Sequence, residues 1–116
     1  VILNNYFGRQ FNSLNDVAIH PRNKEMYFTD VTYGFLQDFR PAPVLPNQVY
    51  RFNPKTGLVS VVADGFDKPN GMQLLVVSMK LTSGITFSPD GTYAYIADTG
   101  AQSGPKGQNF DQPATM

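Results

Sequence analysis

Short runs of Tyr, Phe, Val, Ile and Thr alternate along this chain with clusters of Asn, Pro, Asp and Gly. No stretch sustains the apolar period of about 3.6 residues that a capped amphipathic helix shows. The pattern predicts an all-β chain, with strands at Asp16–Ile19, Glu25–Asp30, Gln48–Asn53, Leu58–Ala63, Ile85–Phe87 and Tyr93–Ala97. Pro54-Lys55-Thr56-Gly57 supplies a proline to preset the bend and a glycine for positive φ, so it should join two of these strands as a hairpin. Pro89-Asp90-Gly91 should do the same further on. Between Phe35 and Asn47 stand Pro41, Pro43 and Pro46, which a sheet interior does not accommodate, and this stretch reads as a long loop.

Laid on itself, the chain repeats. Asn15 falls 55 positions before Asn70, while Pro21 precedes Pro89, and Asp30 precedes Asp98, by 68. Asn15-Asp16 thus matches Asn70-Gly71, Val17 to Pro21 matches Ile85 to Pro89, and Tyr27 to Asp30 matches Tyr95 to Asp98. The 13-residue difference is an extra segment, Met72 to Gly84 or one residue earlier, that interrupts a turn-to-strand junction in the second copy. It carries two of the four methionines and its composition is foreign to its neighbours. Two origins are open: a genuine extra strand, which the apolar run Leu74 to Val77 allows, or translated non-coding sequence such as an unspliced intron. A repeat of about 55 residues built from four short strands is the signature of propeller blades, each one a twisted sheet that buries its faces only against its neighbours. The expected organisation is about two blades of a β-propeller, units of about 11–66 and 67–116.

Composition narrows the chemistry. The 116 residues are 41% hydrophobic, 13% aromatic and 16% charged, the balance of a segment that buries a core. Basic and acidic residues number 9 each, so there is no net positive field for a polyanionic backbone, and nucleic acid is not an expected partner. The longest apolar run is far shorter than the roughly 20 residues of a membrane-crossing helix, and no membrane association is expected. Without cysteine there are no disulfides, thiolate ligands or thiol nucleophile. The first residues, Val1 to Asn5, have neither an initiator methionine nor the charged and apolar regions of a signal peptide, and read as an interior cut.

Asn15 and Asn70 hold equivalent places, each just before the innermost strand of its unit, a position that faces the central channel of a propeller. Amide oxygens are hard neutral donors suited to calcium, which takes six to eight oxygens. The same spacing also fits an ordinary turn residue that bonds its own backbone. Asp16 could orient its neighbour, although Gly71 replaces it in the second unit. His20 is the single histidine; it follows the inner strand at the end away from Asn15, beside Pro21, and Ser88 takes its place in the repeat, which indicates a surface turn rather than a general base. Asp30 and Asp98 end equivalent strands and should make turn hydrogen bonds. In the long loop, Phe35, Phe39 and Arg40 are candidate substrate contacts.

Phe11-Asn12-Ser13-Leu14-Asn15-Asp16-Val17, Met26-Tyr27-Phe28-Thr29-Asp30 with Thr32-Tyr33-Gly34, Lys68-Pro69-Asn70-Gly71 and Ile85-Thr86-Phe87-Ser88-Pro89-Asp90-Gly91 closely resemble the gluconolactonase, senescence-marker-protein and luciferin-regenerating-enzyme family, with the fungal lactonohydrolases nearest. The resemblance covers almost the whole chain outside the 13-residue segment. It implies a six-bladed propeller whose channel holds a divalent cation, usually calcium, bound by a Glu from an early blade, two Asn and an Asp from a later blade. Asn15 and Asn70 match the two asparagines; the matching Glu is expected before Val1 and the Asp beyond Met116. It further implies a small-molecule lactone as substrate, with the cation polarising the ester carbonyl. Two other readings stand beside the lactonase fragment: a non-catalytic propeller segment that binds or supports, and a truncated or mis-spliced product without activity. Sequencing the mature transcript tests the intron origin, which expects the codons for residues 72–84 to be missing from the message; their presence identifies a genuine insert.

Overall fold

The computed structural model of the chain describes residues 1–66 and 85–96, and the backbone of two short strands at 98–99 and 114–115. Asn70 and the extra segment 72–84 lie outside the described residues. The described part is built on a four-stranded antiparallel sheet in the simple order β3-β4-β5-β6, formed by β3 (Leu14–Ile19), β4 (Met26–Asp30), β5 (Gln48–Phe52) and β6 (Val59–Ala63). Ahead of it runs a two-residue hairpin, β1 (Asn5–Tyr6) with β2 (Arg9–Gln10). After it come β7 (Ile85–Phe87) with β8 (Ala94–Ile96), and β9 (Asp98–Thr99) with β10 (Ala114–Thr115). All six strands read from the pattern are present, Ile85–Phe87 with the bounds read and the others within a residue or two; β3 begins at Leu14, two residues earlier than read, so that Asn15 lies inside the strand rather than before it.

The β5–β6 turn forms where Pro and Gly predicted it. Gly57 has φ +73°, its N–H donates to the Asn53 carbonyl at 2.8 Å, and the Asn53 side chain accepts from Lys55 N at 2.9 Å. The β7–β8 turn places Gly91 at φ +68°, its N–H bonded to the Ser88 carbonyl at 2.8 Å. The two inner-strand turns are closed by the same backbone bond: His20 N donates to Glu25 O and Ser88 N to Tyr93 O, each at 2.9 Å. Within them the His20 ring nitrogen Nδ1 accepts from the N–H groups of Arg22 and Asn23, where the Ser88 hydroxyl accepts from those of Thr92 and Tyr93.

Strand alternation gives the large sheet two buried faces. One carries Phe28, Tyr50, Phe52, Val59 and Val61 and packs under Leu3, Tyr6, Phe11 and Leu45. Phe28 and Tyr50 stack at 5.4 Å with rings 14° apart, and Phe11 meets both edge-on at 5.4 and 5.2 Å. Such pairs add about 0.5–1.5 kcal/mol each beyond the area they bury. The opposite face presents Tyr27 and His20 to the second sheet. Phe87 on β7 packs edge-on against both, at 5.0 and 4.8 Å, and Ile85 beside it is buried.

Tyr50 sits with no exposed surface, and its hydroxyl donates to Gln48 Oε1 at 2.9 Å. Burial, with smaller contributions from Asp30 and Tyr6, pushes its phenol up to about 12. The folded chain therefore holds this proton more tightly than the unfolded chain does, and the stability so gained is present below pH about 10 and lost as pH rises towards about 12. Urea-unfolding midpoints should fall across that window in the native chain, and Tyr50→Phe should flatten the fall.

Candidate functional site

The end of the sheet where β3 begins and β4 finishes is shaped by a β-bulge. Leu14 pairs with Asp30 and Val17 with Phe28, so Asn15 and Asp16 together stand opposite the single residue Thr29. In unbroken pleating Leu14 and Val17 would point to opposite faces; the inserted residue turns both towards the same apolar cleft. The buried Thr29 hydroxyl accepts the Asp16 N–H at 3.2 Å, substituting for a missing ladder bond. Bulges of this kind re-aim side chains, and here they set Asn15 and Asp16 at the edge of a cavity of about 340 Å³. Its remaining wall is apolar, from Val1 to Leu3, Met26, Phe28 and Phe52.

Asp30 holds this end together. Its carboxylate is fully buried, with Oδ2 accepting from Asn12 N at 3.0 Å and Oδ1 from Ser13 N at 2.8 Å. Burial pushes the Asp30 carboxyl up, against the opposing pull of these two N–H donors and of the Arg40 charge. The expected turn hydrogen bonds of Asp30 are thus made, but to a segment 17 and 18 residues earlier rather than locally. Asn12 in turn clamps the long loop: Nδ2 donates to Leu45 O at 2.7 Å, while Oδ1 accepts from Val44 N and Leu45 N, both at 3.2 Å. Spacing alone does not mark Asn12 or Thr29 as functional, because the groups they bond lie 13 to 33 residues away along the chain.

The long loop opens with a one-turn helix, α1 (Tyr33–Leu36), so Phe35 is helical rather than in open loop. Phe39 N and Arg40 N both donate to Gly34 O, at 2.9 and 3.0 Å, folding the loop back over this turn. Gly34 is obligatory here, since a Cβ at that position would collide with Cβ and Cγ of Arg40. Phe35 on α1, with Phe39 and Arg40 in the loop folded back over it, therefore lies at the same end of the sheet as Asn15, but none of the three lines the cavity that Asn15 and Asp16 edge. His20 lies at the other end of β3, half-buried between the sheets, with Nε2 3.1 Å from Gly91 O. With Nδ1 accepting two backbone bonds, Nε2 carries the proton and donates; the ring is a packing and turn element.

Asn15 and Asp16 provide oxygen donors of the type calcium takes, and Asp16 Oδ2 is buried without a hydrogen-bond partner among the described residues. Burial raises the Asp16 carboxyl, the Val17 N–H opposing it. The donors fit in kind. They fall short in number, because no group of three or more His, Cys, Asp or Glu side chains converges among the described residues.

Comparison with known proteins settles the kinship. Over 108 residues, 88% of its length, the chain is 41% identical to lactonohydrolase oryL of Aspergillus oryzae. Over 101 residues, 85% of its length, it is 31% identical to the gluconolactonase of Zymomonas mobilis. The chain belongs to the gluconolactonase/lactonohydrolase family. It spans about a fifth of the first relative and a quarter of the second. No family model matches it. Two solved structures share its fold with a TM-score of 0.67 and 28% identity: a structural-genomics target described as a putative gluconolactonase, and a protein of Xanthomonas campestris described as a gluconolactonase important in glucose secondary metabolic pathways. They cover 85% and 87% of this chain, and it covers 30% of each. The sheets are those of a β-propeller-type fold. Among the described residues no helix is long and apolar enough to cross a membrane.

Removing the Asp30 carboxylate should strand two buried N–H groups. At about 1–3 kcal/mol for each lost partner, Asp30→Ala should cost roughly 3 kcal/mol in denaturant unfolding. Hydrogen exchange should quicken at the Asn12 and Ser13 amides before the rest of the sheet.

Proposed function

We propose that this chain is a segment of a calcium-dependent lactonohydrolase, comprising about two blades (about 11–66 and 67–116) of a six-bladed propeller, and that Asn15 and Asn70 belong to the cation site of the complete domain. The observation that carries the reading is the 41% identity to a lactonohydrolase across a stretch in which Asn15 is held on a bulge at a cleft edge by Thr29, Asp30 and Asn12. A bulge supported by a fully buried carboxylate is an expensive arrangement for a plain turn. It is a natural one for a side chain that must be aimed.

In this reading the substrate is a lactone, of a sugar acid or a related hydroxy acid. A divalent cation bound by Asn15, Asn70 and carboxylates contributed from outside the described residues would supply Lewis-acid polarisation of the ester carbonyl. The chain's own part is positional. Asn15 offers a neutral amide oxygen whose place is set by the bulge, and the apolar wall of the cleft lowers the local dielectric and keeps water from the polar edge. Phe35 on α1 and Phe39 and Arg40 in the loop after it, at the same end of the sheet, are proposed to approach the substrate from the loop side.

The shortage of anionic donors among the described residues favours a second reading, a propeller segment without activity of its own. Calcium separates the two. Thermal unfolding should show no calcium-dependent gain for the 116-residue chain, because two neutral amides do not offset the desolvation of a divalent ion. A version extended to six blades and lacking residues 72–84 should gain about 2.7 kcal/mol at calcium a hundredfold above its Kd, lose that gain in Asn15→Ala and Asn70→Ala, and hydrolyse glucono-lactone only when both asparagines are present. A calcium gain by the short chain alone would show the account of its missing ligands to be wrong. An extended protein that binds no calcium would leave the non-catalytic reading.

A further inference from the structure

Asn12 divides its bonds between two tasks. Its backbone N–H donates to Asp30 Oδ2 at 3.0 Å, beside the Ser13 N–H on Oδ1, and this pair fixes the entry into β3 and so the place of Asn15. Its side-chain amide grips the far end of the long loop: Nδ2 donates to Leu45 O, and Oδ1 accepts from Val44 N and Leu45 N. Ser13 holds the near end, its carbonyl accepting from Val31 N at 3.3 Å just before α1. Both ends of the connection between β4 and β5 are thus tied to the one dipeptide that leads into the bulge. Asn12 and Leu45 are both buried, and Leu45 packs in the cluster of Phe11, Phe28 and Tyr50. Water does not readily replace a bond lost there.

The clamp acts at a distance because the loop is stiff. Arg40-Pro41-Ala42-Pro43-Val44-Leu45-Pro46 has three prolines among seven residues. Each fixes its own φ near −65° and biases the residue before it towards extended backbone, so the segment is a strut rather than a tether. At the other end of the strut, Phe39 N and Arg40 N are both bonded to Gly34 O, and the Arg40 side chain lies against Gly34 with no room for a Cβ between them. Displacing Val44 and Leu45 therefore displaces Arg40 and Phe39. We propose that Asn12 is a positioning residue for the substrate: its side chain, by clamping Val44 and Leu45, sets where Phe39 and Arg40 stand relative to Asn15, and so how well a lactone is held. The role rests on the lactonase reading and on its assignment of Phe39 and Arg40 to the substrate. The two tasks of Asn12 are separable, since any residue other than proline at position 12 keeps the N–H that Asp30 accepts, whereas the clamp belongs to the amide alone.

Asn12→Ala in the protein extended to six blades and lacking residues 72–84 tests this. KM for glucono-lactone should rise roughly tenfold while kcat stays within about twofold. The stability gained from calcium should match that of the unsubstituted protein, and hydrogen exchange should quicken at the Val44 and Leu45 amides but not at Asn12 and Ser13. Because the clamp acts through the strut, its effect on KM should vanish in a background already carrying Phe39→Ala and Arg40→Ala. Should Asn12→Ala fail to fold, Val44→Pro removes one donor to Oδ1 while leaving Asn12 in place, and should raise KM in the same direction by less. An unchanged KM, a loss of kcat or of the calcium gain as large as the rise in KM, or a KM effect that persists without Phe39 and Arg40, overturns the positioning role and leaves the lactonase reading standing. An extended protein that neither binds calcium nor opens a lactone overturns that reading, and this role with it.

Discussion

The architecture around the candidate site rests on the burial of one carboxylate. Asp30 ends β4 and extends into a space where it has no contact with solvent, a placement that is costly for an ionised group unless donors meet it. Two backbone N–H groups do so, those of Asn12 and Ser13, and the exchange settles both sides: the carboxylate is bonded, and a turn that belongs to no ladder finds acceptors. That bond fixes where the chain enters β3, and so where the bulge at Asn15 and Asp16 falls. Asn12, held by this turn, returns the arrangement to the long loop through Val44 and Leu45. Three segments far apart in sequence are thereby brought to one end of one sheet.

The aromatic core works on a different principle. The rings of Phe11, Phe28 and Tyr50 gain from area and ring geometry, so they hold the sheet against the N-terminal segment but do not specify the register at its end. The polar ties do that. Stability and aim are thus divided between the two, which is the arrangement a fold needs if a side chain is to be placed to within about half an ångström on a rigid support.

The blade-like repeat shapes a chain that spans a fifth to three-tenths of its relatives. Each sheet has two apolar or aromatic faces, and a sheet within such a stack uses both. His20 and Ser88 illustrate how the repeat tolerates exchange of side chains while keeping the turn: a ring nitrogen in one copy accepts from Arg22 and Asn23, and a hydroxyl in the other from Thr92 and Tyr93, two repeat positions further along. The histidine also reaches across, where it touches Phe87 and Gly91 of the neighbouring sheet. The repeat constrains the backbone; the contacts between sheets select the residue.

What the sequence by itself determined was local or periodic. Six strands, the Pro-Gly turns at Gly57 and Gly91, the repeat offset and the kinship carried by the Asn15 and Asp30 motifs follow from alternation, turn chemistry and self-comparison, all of which act over a few residues or recur at a fixed spacing. The tertiary structure alone decided the bulge at Asn15, the one-turn helix that contains Phe35, the grip of Asp30 on Asn12 and Ser13, and the role of His20 between sheets. A bulge is invisible in a single strand because it is defined by what stands opposite, here Thr29 against two residues. A buried carboxylate likewise looks like any strand-ending aspartate until the donors that satisfy it arrive from 17 and 18 residues away. Hydrophobic pattern is a property of one segment, whereas hydrogen-bond satisfaction in a buried place is a property of several, and only the folded chain brings them together.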